Sequence, residues 1–184
     1  METAEALDRA EEILKPFTQL KSRPSPDRLD VMVLPAALSA TVRELVNERW
    51  GYLVAITGID HPGEASPTPE DKQWARLARE DEGEEAHGGA REGAIELLYH
   101  FCQKAAVVTL RVSVRYSFPV INSICGVIPS ATLYERELAE MFGVKVVRTP
   151  NKDHLLLPDD WPDGAFPLRK AFTRLETDEA SQGG

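Results

Sequence analysis

The chain has 184 residues, 42% hydrophobic and 28% charged, a composition that fits one globular domain with a sizeable core. Its 21 Lys and Arg against 30 Asp and Glu give a formal net charge of −9, which argues against a nucleic-acid binder and against direct attraction to anionic lipid. No apolar run approaches bilayer-spanning length, and the acidic start Met1-Glu2-Thr3-Ala4-Glu5 has no signal-peptide pattern. Cys102 and Cys125 are too few and too widely spaced for a zinc or iron–sulfur framework, so two reduced thiols in a cytosolic compartment are expected.

In chain order, Leu7, Ala10, Leu14 and Phe17 recur at three- and four-residue steps and predict a short amphipathic helix over residues 4–17, which Pro16 helps to end. Ser22-Arg23-Pro24-Ser25-Pro26 reads as a stiff linker. Leu29 to Leu34 alternates and predicts a first strand. Residues 38–49 predict a helix on Leu38, Val42, Leu45 and Val46, with Ser39 as its N-cap. Tyr52 to Gly58 predicts a second strand, ending at Asp60-His61-Pro62.

Residues 63–93 break the pattern. Thr68-Pro69-Glu70-Asp71 can open a helix, but Trp74 and Leu77 are the only large apolar residues it offers. The acidic, Gly-rich run Arg79 to Gly89 follows, and the whole stretch reads as an insertion extending from a sheet edge. Next comes the clearest local pattern, a hairpin. Ile95, Leu97, Tyr99 and Phe101 alternate with more polar residues, Gln103-Lys104-Ala105 turn the chain, and Val108, Leu110, Val112 and Val114 alternate with Thr109, Arg111, Ser113 and Arg115. Residues 117–130, bracketed by Pro119 and Pro129, read as irregular.

The stretch Thr132 to Gly143 predicts a helix opened by a Thr132/Glu135 capping box and closed by Gly143 in a left-handed cap. Tyr134, Leu138, Met141 and Phe142 share one apolar face, with Ala131 joining if the helix starts early. Arg136 and Glu140 point the other way as an i,i+4 pair, and Glu135 and Glu137 border the apolar stripe. The charged face is either merely solvated or a docking surface. Val144 to Val147 predicts an edge strand. Residues 155–170 hold three prolines and a glycine, which specify an extended path with turns, and 173–184 read as a disordered end.

These elements give an α+β domain, a mixed β-sheet with helices packed on one face, followed by an extended C-terminal tail. The expected boundaries are 1–26 for an N-terminal helix and linker, 27–172 for the α+β domain with its insertion, and 173–184 for the tail. Chemistry is sparsely signalled. His61, His87, His100 and His154 are scattered, neither cysteine has a nucleophile's context, and no nucleophile elbow or Gly-rich phosphate loop occurs. Glu135 and Glu137 project to different sides of one helix and make a poor acid/base couple. Recognition remains. Arg169 and Lys170, fixed behind Pro167, offer rigid cations that can bridge to Glu135 or Glu137 or engage a neighbouring subunit.

The run Tyr134-Glu135-Arg136-Glu137 with Glu140-Met141-Phe142-Gly143, followed by Phe166-Pro167-Leu168-Arg169-Lys170, resembles the 30 kDa subunit family of proton-pumping NADH:quinone oxidoreductase, respiratory complex I. Thr57 to Pro62 and Glu96 to His100 look like the family's strand end and hairpin, so the resemblance covers roughly residues 29–172. The chain departs from the pattern at Thr149 to His154, which keeps only a proline, and at Ile128 and Leu133, where tryptophans are common. Asp159 to Gly164 looks at least as much like the equivalent subunit of group 4 membrane-bound [NiFe] hydrogenases and formate hydrogenlyase-type complexes.

The resemblance implies a non-catalytic structural subunit with no cofactor of its own. Iron–sulfur clusters, flavin, NADH and quinone, or a nickel–iron site, would belong to its partners. It implies docking on the large hydrogenase-like subunit, beside iron–sulfur subunits, on the cytoplasmic side of a membrane complex that this chain touches only indirectly. The residues expected at the partner interface are Glu135, Arg136, Glu137, Glu140, Pro167, Leu168, Arg169 and Lys170. A free-standing enzyme or binding module reusing the fold is the alternative of another class.

Overall fold

A computed structural model describes residues 2–63 and 92–175. Most of the predicted insertion, residues 64–91, and the end of the predicted tail, 176–184, lie outside the described residues. The elements are α1 (Thr3–Leu14), β1 (Leu20–Ser25), β2 (Arg28–Met32), α2 (Leu38–Asn47), β3 (Tyr52–His61), β4 (Ala94–Gln103), β5 (Ala106–Arg115), β6 (Val120–Asn122), α3 (Thr132–Phe142) and β7 (Lys145–Val147).

Five strands form one mixed sheet in the order β1-β2-β5-β4-β3. β2 runs parallel to β5, and the other pairs are antiparallel. Register divides the sheet into two faces, because successive side chains alternate. Val31, Leu110, Tyr99 and Ile56 stand side by side across four strands on one face. Their neighbours Asp30, Thr109, His100 and Ala55 stand on the other. α1 and α3 lie against the sheet and α2 packs on α1. Leu7, Ala10, Leu14, Leu38, Val42, Leu45, Leu138, Met141 and Phe142 join the apolar strand residues in a single core. The fold is therefore α+β, with its helices on one face. Trp50, fully buried, fastens α1 by donating its indole N–H to the Ala6 carbonyl at 2.8 Å.

The structure corrects three local expectations. Ser22 to Pro26 is not a linker: residues 20–25 are β1, the outer strand of the sheet. An edge strand tolerates Pro24, which falls where the β1–β2 register shifts between Ser22 and Ser25. Lys21 and Arg23 of this edge pair with Glu11 and with Asp8 and Glu11 of α1, charges that also guard an exposed edge. Ser39 does not cap α2, because a 3₁₀ turn over Pro35–Ala37 leads straight in and puts Ser39 inside the first helical turn. Residues 117–130 are not wholly irregular, since Val120–Asn122 pair in parallel with β7, which lies within the predicted edge strand.

Candidate functional site

The Glu-Arg-Glu motif lies on α3, and its three charged side chains have three different fates. Gly143 closes the helix as predicted, at φ +72° and ψ +26°. The predicted capping box does not form. The turn Pro129–Ala131 enters the helix with Ala131 already in helical geometry, so Thr132 lacks the extended backbone a cap needs. The Thr132 hydroxyl is buried with no hydrogen-bond partner among the described residues.

Glu135 turns inward instead. Only 2% exposed, its carboxylate accepts from the Ile124 N–H at 2.7 Å, the Ser123 hydroxyl at 2.8 Å and the Cys125 thiol at 3.1 Å. Burial, with the adjacent carboxylate, pushes the Cys125 thiol above its ordinary pKa. Glu135 thus ties the loop after β6 to the start of α3.

Arg136 and Glu140 do point away from the core face, but they pair with a third party. Arg136 donates from Nε to the Asp153 carbonyl at 2.8 Å and from Nη2 to the His154 carbonyl at 2.6 Å. Glu140 accepts from the N–H groups of Leu155, Leu156 and Leu157 at 3.0, 2.9 and 3.3 Å, with His154 Nδ1 at 3.3 Å. Guanidinium on carbonyls and carboxylate on amides hold one extended segment across the helix. Burial alone would raise the Glu140 pKa; the three amides and His154 outweigh it and hold the carboxyl below its ordinary value.

The same segment, here called the strap, is fastened again at Pro167-Leu168-Arg169-Lys170. The Leu168 N–H donates to the Met141 carbonyl at 3.1 Å, and Arg169 Nε donates to the Phe142 carbonyl at 2.6 Å. Both carbonyls belong to the last turn of α3, where a cation is also favoured by the helix dipole. The Arg169 guanidinium lies 4.3 Å from the Tyr116 ring centroid. The Phe166 ring sits directly over Gly143, where an added Cβ would collide with it. The Lys170 N–H donates to buried Asp60 at 2.8 Å, and the Tyr116 hydroxyl donates to the other oxygen of the same carboxylate. Burial, and then Asp60, push the Tyr116 pKa up to about 12.

The expected bridge from Arg169 to Glu135 or Glu137 therefore does not form; Arg169 caps the helix that carries both acids. Pro167 is half-buried, whereas Leu168 and the Lys170 side chain face outward. Glu137 is half-buried, and its side chain makes no hydrogen bond or ion pair within the described residues. Of the residues expected at a partner interface, Glu135, Arg136, Glu140 and Arg169 are engaged internally, while Glu137, Leu168 and Lys170 keep side chains available.

Sequence reasoning missed a second charged group, on the sheet face away from the helices. Arg28 pairs with Asp30 at 2.6 Å, Arg111 with Glu96 at 2.5 Å, and His61 with Glu96 at 3.1 Å. His100 bridges the hydroxyls of Thr57 and Thr109, each at 3.1 Å. Burial opposes ionisation of Glu96, but His61 and Arg111 hold its pKa below the ordinary value. Its signal was present as Asp30 and Glu96, one on each strand flanking β5, each two register positions from the residue opposite Arg111. Both groups are built to fix polypeptide segments against one another.

Comparisons with known proteins identify the fold's relatives. A family model described as respiratory-chain NADH dehydrogenase, 30 Kd subunit, matches residues 31–178. The C subunit of NADH-quinone oxidoreductase from Moorella thermoacetica is 29% identical over 172 residues, covering 91% of this chain and 95% of that protein. Formate hydrogenlyase subunit 5 of Escherichia coli is 43% identical over 63 residues, 34% of this chain and 11% of that protein. The C/D subunit of NADH-quinone oxidoreductase from Rhodopseudomonas palustris is 36% identical over 77 residues, 42% of this chain and 13% of that protein. The chain thus matches nearly the full length of the Moorella protein but only a small part of the other two. The fold is similar to that of a chain in the membrane-bound sulfane sulfur reductase, an archaeal respiratory membrane complex, with a TM-score of 0.67 at 19% identity over 93% of this chain and 87% of that one.

Proposed function

The chain belongs to the respiratory-chain NADH dehydrogenase 30 kDa subunit family, and on that premise we propose that it is a structural, cofactor-free subunit of a membrane-associated oxidoreductase complex. In this role it docks on the large hydrogenase-like subunit, on the cytoplasmic side, and supports electron transfer to quinone by holding geometry. Redox centres in neighbouring subunits supply the chemistry.

One observation carries this reading. The motif helix uses Glu135, Arg136 and Glu140 to anchor loops and the strap, so its charged groups serve architecture. Relatives named as C/D subunits, in which the match is a small part of a longer chain, support the large subunit as the neighbour. No helix among the described residues is long and apolar enough to cross a membrane, and the proposed attachment runs through other subunits.

A second reading, the equivalent subunit of a group 4 hydrogenase or formate hydrogenlyase-type complex, is favoured by the 43% identity over 63 residues to formate hydrogenlyase subunit 5. Affinity purification of the tagged chain from solubilised membranes tests both. Recovery with a hydrogenase-like large subunit supports docking, and NADH:quinone against hydrogen turnover of the isolate separates the two. Recovery of the chain alone and enzymatically active would contradict both.

A further inference from the structure

Three glutamates punctuate α3, and the structure treats them unequally. The carboxylates of Glu135 and Glu140 each gather three or more donors, whereas Glu137 gathers none within the described residues. Glu137 is nonetheless half-buried. A carboxylate kept partly from water without a partner gains nothing inside this molecule.

Its position says what would complete it. At 100° per residue, Glu137 and Leu133 form an i,i+4 pair on one stripe of α3. On one flank the strap is held by Arg136 and Glu140. On the other, the Tyr134 hydroxyl donates to the Val54 carbonyl at 2.7 Å and seats the helix on the edge strand β3. Each of these elements carries an exposed apolar side chain: Leu133 at 52% on the stripe itself, Val54 at 41% on β3 and Leu156 at 62% in the strap. A half-buried acid beside exposed apolar side chains, which a docking partner would shut from water, is a setting in which an intermolecular ion pair can contribute.

We propose that Glu137, one helical turn from exposed Leu133, receives a guanidinium from the large subunit, and that this pair fixes the register of docking. The inference rests on the docking reading above and deepens it. An arginine fits the chemistry because its planar fork satisfies both carboxylate oxygens while its apolar stem can lie against an exposed apolar side chain such as Leu133. Arg136 and Glu140 then act at one remove: they set the strap on the neighbouring flank of the helix.

The test uses the full-length tagged chain co-expressed with the other subunits of its own complex. The large subunit recovered from detergent-solubilised membranes is quantified by mass spectrometry over a salt series. Glu137→Gln should weaken recovery about thirty-fold and flatten its salt dependence, with Glu137→Asp restoring part of both. The isolated Glu137→Gln chain should melt with the wild type, since no internal bond is removed, which separates a docking defect from a folding defect. Leu133→Asp should weaken recovery similarly. Wild-type-like recovery by Glu137→Gln and Glu137→Arg at every salt concentration would overturn this inference and leave docking itself standing. Failure of the wild-type chain to recover the large subunit would instead overturn the docking reading, and this inference with it.

Discussion

The Glu140 carboxylate sits 2.9 Å from the backbone N–H of Leu156, sixteen residues further along the chain, and the amides on either side of Leu156 turn to the same carboxylate. A short extended segment thereby finds partners for three consecutive donors that a sheet would otherwise satisfy. Glu140→Gln keeps the size but loses the charge and half the acceptors. The expected loss is about 2 kcal/mol, the range for hydrogen bonds to a buried charged group. Hydrogen exchange should rise selectively at residues 154–157, while β4 and β5 stay protected.

The same contact sets a pH dependence. The folded-state pKa of Glu140 is depressed, so its stabilisation is complete above the unfolded value of about 4.3 and is lost as pH falls through the lower folded value. Limited proteolysis within residues 150–172 should therefore accelerate below about pH 4 in the wild type. The Glu140→Gln variant should lose this acid-sensitive step, cleaving there at an elevated and flatter rate.

Gly143 meets two demands at once, a left-handed backbone at φ +72° and the Phe166 ring pressed against its Cα. Gly143→Ala drives a methyl group into that ring, in a backbone conformation that disfavours any side chain. A loss of about 2 kcal/mol is expected in thermal unfolding, from the strained backbone and a displaced ring. Phe166→Leu should recover part of the Gly143→Ala loss if the ring is responsible, and a double-mutant cycle measures that share.

Tyr116 and Arg169 secure the far end of the strap around Asp60. Tyr116→Phe keeps the ring beneath the guanidinium but removes a donor from a buried carboxylate, which should cost about 1–3 kcal/mol. Arg169→Lys keeps charge but cannot both donate to the Phe142 carbonyl and lie flat on the ring, so about 1 kcal/mol is expected. Chemical denaturation of the two single variants and the double variant checks both figures.

Much of this fold could be read from residue patterns, because period-two alternation in β4 and β5 and the apolar stripe of α3 are local signals. Gly143 was equally legible, since a left-handed cap is a one-residue requirement. β1 was hidden by Pro24, which argues against a strand unless that strand is known to be an edge. The capping box failed because Thr132 and Glu135 satisfy its pattern while the preceding turn denies Thr132 the backbone geometry. The site was the least legible part. Arg136 and Glu140 fit an i,i+4 pair, and nothing local reveals that each is claimed by a distant segment, 17 residues on for Arg136 and 15 for Glu140. Arg169 is drawn to the Phe142 carbonyl, 27 residues back, for the same non-local reason.

The central claim, that this chain contributes architecture while its neighbours contribute chemistry, is tested most directly by turnover per assembled complex. Cells carrying Glu140→Gln or Arg169→Lys should yield less intact complex, measured as the large subunit co-isolated with the tagged chain. Each complex that does assemble should turn over at the wild-type rate. Undiminished assembly with turnover per complex reduced a hundred-fold or more would contradict the account, because it would place these residues in the chemistry itself.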